Sequence, residues 1–159
     1  LYFSNKTILL DKNQLNYKPM KKIVFGAMLA ASALMAADIS LENVRARDTK
    51  PGTNNSAIFM DIKNASNSDV KLIGAHSSVC KSTEIHTHKM NDGMMAMVQI
   101  EDAVIPKNGE TKLAPGGLHI MLMDLNKPLK DGDKVDLELK FSNGESIKLD
   151  NIGVTKNFK

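Results

Sequence analysis

The chain of 159 residues holds four histidines and ten methionines, and their placement carries more information than their number. His86, His88 and Met90 fall on alternate residues, as do Met95 and Met97, and again His119, Met121 and Met123. On an extended strand successive side chains point to opposite faces, so each set lies on one face. The intervening positions are Ile85 and Thr87 in the first run, Ala96, Val98 and Ile100 in the second, and Leu118, Ile120 and Leu122 in the third. Each strand can thus give its more apolar face to a core and a His/Met face to something else.

Packing alone explains this poorly. Methionine fills irregular gaps in cores, but here Leu, Ile and Val already occupy the opposite parity. A solvent-facing strand would favour Lys, Thr and Glu. A face of imidazole and thioether suits a soft metal, Cu(I) above all. Thiolate would bind Cu(I) more tightly, but free thiols oxidise outside the cytoplasm, whereas methionine forms no disulfide. Zinc takes Cys, His and carboxylate, and calcium and magnesium take oxygen, so both fit badly. His88 and Met90 share the face of His86 and are candidates for auxiliary ligands or rim residues. Met95 and Met123 have the parity to shield the site, while Met94 has the opposite parity and is assigned to the core. His76 reads as a strand-end histidine and Cys80 as a buried, inert thiol. The acidic run Asp131, Asp133, Asp136 and Glu138 reads as a solvated turn and strand.

The rest of the chain restricts what could carry these strands. Net charge is +3, from 21 Lys+Arg against 18 Asp+Glu. Residues 1–36 contain Lys6, Lys12, Lys18, Lys21 and Lys22 against Asp11, so 16 basic and 17 acidic residues remain from Ala37 onward, a net −1. With no basic block, 4% aromatics and no Trp, nucleic-acid binding is not expected. A single Cys excludes an internal disulfide framework and a Cys-rich zinc module. Met20, Lys21 and Lys22 precede the apolar run Ile23 to Ala36, which ends in small residues. This reads as a secretory signal peptide over 20–36, cleaved after Ala36 or Ala37. The run is short for a membrane span, and no Cys at its end offers a lipidation point. Residues 1–19 read as an upstream extension outside the mature protein. The expected domain is 37–159, exported to the periplasm and without stable membrane insertion once the signal is cut.

Within that domain period-2 runs alternate with turn residues. Strands are expected at Ile39–Arg47, Ala57–Lys63, Val70–His76, Thr83–Met90, Met95–Glu101, Glu110–Leu113, Leu118–Asp124, Lys134–Phe141 and Ser146–Asn151. Asn91-Asp92-Gly93, Asn108-Gly109, Gly116-Gly117, Asp131-Gly132 and Asn143-Gly144 supply the turns. Short strands at this spacing with no helices between them predict an all-β fold, an antiparallel sandwich or barrel.

The spacing of donors is specific. His86 is followed after ten residues by Met97, Met97 after twenty-one by His119, and His119 after one by Met121. This His-x10-Met-x21-His-x-Met pattern resembles the signature of the periplasmic copper chaperones of the PCu(A)C family. The segments Glu84–Met97 and Leu113–Met123, with Leu125 and Lys127-Pro128-Leu129, resemble its two central hallmarks. Ile39–Asn43 and Ala57–Asn64 are similar to its opening strands, and the resemblance covers roughly 38–155. Val44-Arg45-Ala46-Arg47 departs from it, standing where many relatives carry Trp-Ala-Arg. The resemblance implies a cupredoxin-like β-barrel binding Cu(I) at His86, Met97, His119 and Met121, with Cu(II) as a second form of the cargo. It also implies delivery to the copper centres of respiratory oxidases, beside Sco-type assembly factors.

Two other classes compete. A blue-copper electron-transfer protein needs two His, a Cys and an axial Met, and Cys80-x5-His86-x3-Met90 partly imitates that set. A metal-free exported sandwich for adhesion or assembly would leave the His/Met faces unexplained. An enzyme is not expected, because no Ser-His-Asp order, zinc-protease motif or paired carboxylates are present.

Overall fold

The computed structural model describes residues 37–158. The expected signal peptide, 20–36, and the extension, 1–19, lie outside them. Ten strands run through the described residues: β1 (Ile39–Arg47), β2 (Ser56–Asn64), β3 (Val70–His76), β4 (Cys80–Asn91), β5 (Met94–Ile100), β6 (Ala103–Ile105), β7 (Gly109–Leu113), β8 (His119–Leu125), β9 (Lys134–Phe141) and β10 (Ser146–Thr155). Nine of them match the expected runs. The tenth, β6, is three residues long, too short for alternation to stand out, although Ala103 and Ile105 are buried and Val104 is exposed. Among the described residues no helix is long and apolar enough to cross a membrane.

The hydrogen-bonded order is β5-β4-β8-β2-β1-β10-β9-β3-β6, with β7 also paired to β2. Every pair is antiparallel except β1 with β10, which run parallel where Ala46 and Arg47 meet Val154 and Thr155. Ile58, Met60, Ile120 and Leu122 from one half of this path and Leu72, Leu137, Leu139 and Phe141 from the other fill one core. That is the sandwich the turn spacing predicts, with aliphatic faces inward.

Three register shifts adjust it, one in β3 between Leu72 and Gly74 and two that each contain an asparagine with positive φ. β1 shifts register between Glu42 and Arg45, where Asn43 has φ 53°, and β10 shifts between Leu149 and Ile152, where Asn151 has φ 63°. Asparagine tolerates this left-handed conformation better than most residues. The amide of Asn43 donates to Asp61 Oδ2 at 2.6 Å, pinning the first bulge. The consequence is a change of face. Ile39 and Leu41 point toward the core at odd positions, but beyond the bulge Ala46 is the buried residue, fully enclosed, and Arg45 stands opposite Phe59. Arg45 and Arg47 are thereby turned outward, onto the same face as Phe59 and Ala57.

Candidate metal centre

The His/Met residues lie on the outer face of β5-β4-β8, at the side of the sandwich opposite the core. Pairing sets them in rows: Met90 opposite Met95, His88 opposite Met97, His86 opposite His119 and Glu84 opposite Met121. Across from them, Ile85, Ile120 and Leu122 are buried in the core, as the alternation requires. The β4–β5 hairpin closes through Asp92 (φ 48°) and Gly93 (φ 78°), the two consecutive positive angles of a type I′ turn.

The turn before β8 orients the central imidazole. Gly117 N donates to Ala114 O at 3.0 Å, Ala114 N donates to Leu118 O at 2.9 Å, and Gly116 has φ 85°. This leaves the Gly117 carbonyl pointing at His119, whose Nδ1 lies 2.8 Å from it. A carbonyl only accepts, so Nδ1 carries the proton and Nε2 of the neutral ring is bare. That bare nitrogen lies 3.1 Å from Met97 Sδ. Two lone-pair donors thus face each other at a separation that a metal ion would bridge. Burial holds the His119 imidazole below the ordinary histidine range; the Gly117 carbonyl opposes this, and His86, His88 and Arg47 reinforce it. The ring stays neutral, with Nε2 available, at neutral pH.

His86 has the complementary arrangement. Its Nε2 lies 2.7 Å from Glu84 Oε2, so a proton sits between them, and its Nδ1 is buried without a hydrogen-bond partner. An unpartnered buried nitrogen is costly, and a ligand removes the cost. The His86 and His88 rings lie 5.9 and 5.6 Å from that of His119, centroid to centroid.

A cleft of about 380 Å³ opens here, with His88, Met97, His119 and Met121 on one wall and Arg47 and Lys50 among those facing them. His86, assigned to the ligand set by resemblance, sits beside His119 and does not line the cleft, whereas His88 does. Met123 is two residues beyond Met121 and lies outside the cleft lining. Met94, assigned to the core by its parity, is 73% exposed: β5 is the edge strand, and near the hairpin tip its inner face meets solvent. His76 is exposed at the end of β3. Among the described residues no group of three His, Cys, Asp or Glu is placed to hold a metal. Thioethers enlarge the set of donors on this face, and thioether with imidazole suits a soft metal.

Cys80 is buried, its sulfur near Ser82 O and Thr83 Oγ1. It lies on the same strand as His86, six residues away, or about 20 Å along β4. No single ion can be shared between them, which removes the blue-copper set.

The family model "Putative lipoprotein LpqE-like" matches residues 39–152. The curated protein "Putative lipoprotein Lxx21020" of Leifsonia xyli subsp. xyli is 34% identical over 114 residues, which are 68% of this chain and 69% of that one. The chain belongs to the LpqE-like family. Its fold is that of a copper-bound PCuAC domain from PmoF2 (TM-score 0.62, 21% identity, covering 74% of this chain and 93% of that one). It is also similar to the Cu(I) form of DR1885 from Deinococcus radiodurans, at TM-score 0.60 and 28% identity, over 81% of this chain and 85% of that one. The resemblance to PCu(A)C proteins noted in the sequence therefore holds.

Behind His119 this LpqE-like domain has a wall that alternation did not disclose. The Phe59 ring lies 6.1 Å from His119, and Phe158, beyond the end of β10, packs edge-on to Phe59 at 5.2 Å. The Arg47 guanidinium lies 5.1 Å from the Phe59 ring and 4.9 Å from that of Phe158, and Arg45 lies 5.3 Å from Phe158. Each such cation–ring contact contributes about 0.5–1 kcal/mol, more where water is excluded. The positive Arg47 beside His119 disfavours a protonated ring. Arg45 and Arg47 stand where the sequence departs from Trp-Ala-Arg, so here the first strand contributes arginines stacked on Phe59 and Phe158.

Proposed function

We propose that this protein is a periplasmic Cu(I) carrier, with His86, Met97, His119 and Met121 holding one ion that it passes to the copper centres of respiratory oxidases or to their Sco-type assembly factors. The observation that carries the reading is the 3.1 Å approach of the bare His119 Nε2 to Met97 Sδ, with Met121 on the same wall of the cleft. Uncharged soft donors suit Cu(I) and leave it exchangeable. Similarity to the Cu(I) form of DR1885 supports the cargo, and the description of the family as lipoproteins supports export. In this reading the protein binds and transfers an ion and catalyses no bond-making step. Cu(I) titration under reducing conditions, read by native mass spectrometry, tests the reading. Binding of one tight ion, lost in the combined Met97→Leu and Met121→Leu variant, supports it. Undiminished binding in that variant refutes it.

A further inference from the structure

The cleft does not use all the thioethers on its face. Met90 and Met95 stand directly opposite each other one row outside His88 and Met97, and they are 66% and 59% exposed. Directly opposed residues place their Cβ atoms about 4.5–5.5 Å apart, within reach of convergence by two methionine side chains, each with three rotatable bonds. The neighbouring row on that face, two residues along each strand, lies about 7 Å further in. It carries His88, whose Nδ1 is held only by a long 3.4 Å contact to Gly117 O, leaving Nε2 bare in the neutral ring. Folding does not call for this arrangement: both methionines are largely exposed, and Met95 lies on the edge strand β5, a position that ordinarily carries charge. The rows form an unbroken file from the hairpin tip to the cleft: two thioethers, then imidazole with thioether, then the two imidazoles of His86 and His119.

We infer that Met90 and Met95, with His88, form a second, outer Cu(I) site that receives the ion before it enters the cleft. The inference rests on the Cu(I) reading of the cleft. The ion arrives with one positive charge and keeps it; only ligands exchange, with thioether sulfur of Met90 and Met95 released as Met97, His119 and Met121 bind. His88 and Met97 lie between the two positions, so the ion can pass along the face with donors on both sides. No oxidant, reductant or proton is consumed.

The test titrates the full chain with Cu(I) alone, anaerobically, against a Cu(I) chelator of known affinity, with native mass spectrometry as readout. Wild type is expected to take two ions, the second more weakly. Met90→Leu with Met95→Leu is expected to take one, with first-ion affinity within threefold of wild type, and to load from the chelator several-fold more slowly. Met97→Leu with Met121→Leu should lose the tight ion and keep the weak one, separating failure of the outer site from failure of the cleft. Carbon-13 methyl resonances of Met90 and Met95 in wild type should move most during the second equivalent, a readout independent of any variant. Saturation of wild type at one ion would overturn the inference, as would two ions in the Met90/Met95 variant. In the first case the exposed methionines would serve to dock a protein partner instead.

Discussion

Met97→Leu separates metal binding from packing more cleanly than any other single change. Met97 is 48% exposed, so replacing it by a side chain of nearly equal volume should alter apo stability by no more than about 0.5 kcal/mol. The lost sulfur is the atom 3.1 Å from His119 Nε2. Even residues that merely orient metal ligands lower affinity about 10–100-fold when mutated, so loss of a direct donor should reach about 100-fold. At a free Cu(I) concentration one hundred times the wild-type Kd, the bound ion stabilises the fold by about 2.7 kcal/mol. The same concentration would equal the variant's Kd and stabilise it by only about 0.4 kcal/mol. The difference of about 2.3 kcal/mol corresponds to roughly 7–9 °C in a domain of this size. Thermal unfolding with buffered Cu(I) and without it measures both quantities on one sample. A variant with the wild-type copper-induced shift would refute the reasoning, and so would one whose apo form melts as far below wild type as its copper form does.

Three further outcomes follow from other contacts. Gly116→Ala places a side chain on a residue with φ 85°, costing about 1–2 kcal/mol of stability; by turning the Gly117 carbonyl it should also weaken copper binding, read as a larger fall in the copper-bound than in the apo midpoint. Phe158→Ala removes a half-buried ring from Phe59, Arg45 and Arg47, and should lower stability by about 1–2 kcal/mol in urea unfolding; an unchanged midpoint would mean the C-terminal stack is not held in solution. Asp136 carries a third. Burial raises its pKa, but bonds from Ser78 N and Oγ outweigh that and set it below the ordinary carboxylate value. A depressed carboxylate stabilises the fold above its unfolded pKa, near 3.8, and that contribution is lost as pH falls through the folded value. Asp136→Asn should therefore be less stable than wild type by about 1 kcal/mol at pH 7, with the gap narrowing below pH 4 in urea titrations; a gap that persists undiminished at pH 2 would contradict this.

Alternation was enough to read the His/Met face, because a strand has only two faces and Ile85, Ile120 and Leu122 claimed one. Asn91-Asp92-Gly93 was enough to locate the hairpin, because few sequences accept two consecutive positive φ angles. Register was not legible. Nothing in β4 or β5 alone says whether His86 or His88 meets Met97, and the pairing puts His88 there, with His86 opposite His119. The bulges were equally hidden. The bulge at Asn43 reverses the faces of the rest of β1, so a reading at constant parity sends Arg45 and Arg47 inward, while the structure turns them out onto Phe59 and Phe158. Met94 failed for a different reason. Its parity was right, but the inner face of an edge strand stops being interior where the hairpin outruns the facing sheet.

The direction of the lone pairs depends on interactions that donor spacing cannot specify. A histidine in a spacing pattern has two nitrogens, and only the second partner of each ring decides which is free. For His119 that partner is a main-chain carbonyl, supplied by a turn that needs Gly116 at positive φ. For His86 it is Glu84, two residues back on the same face. The glycines before β8 and the carboxylate before His86 thus decide which ring nitrogens are free, although neither contributes a soft donor. Arg47 adds the electrostatic condition, since a cation beside His119 opposes protonation of the ring. On the proposed reading, thioether and imidazole donors that carry no charge of their own favour a soft ion over harder divalent ions. On that reading the ion could leave without a charged ligand having to be neutralised, as a carrier requires.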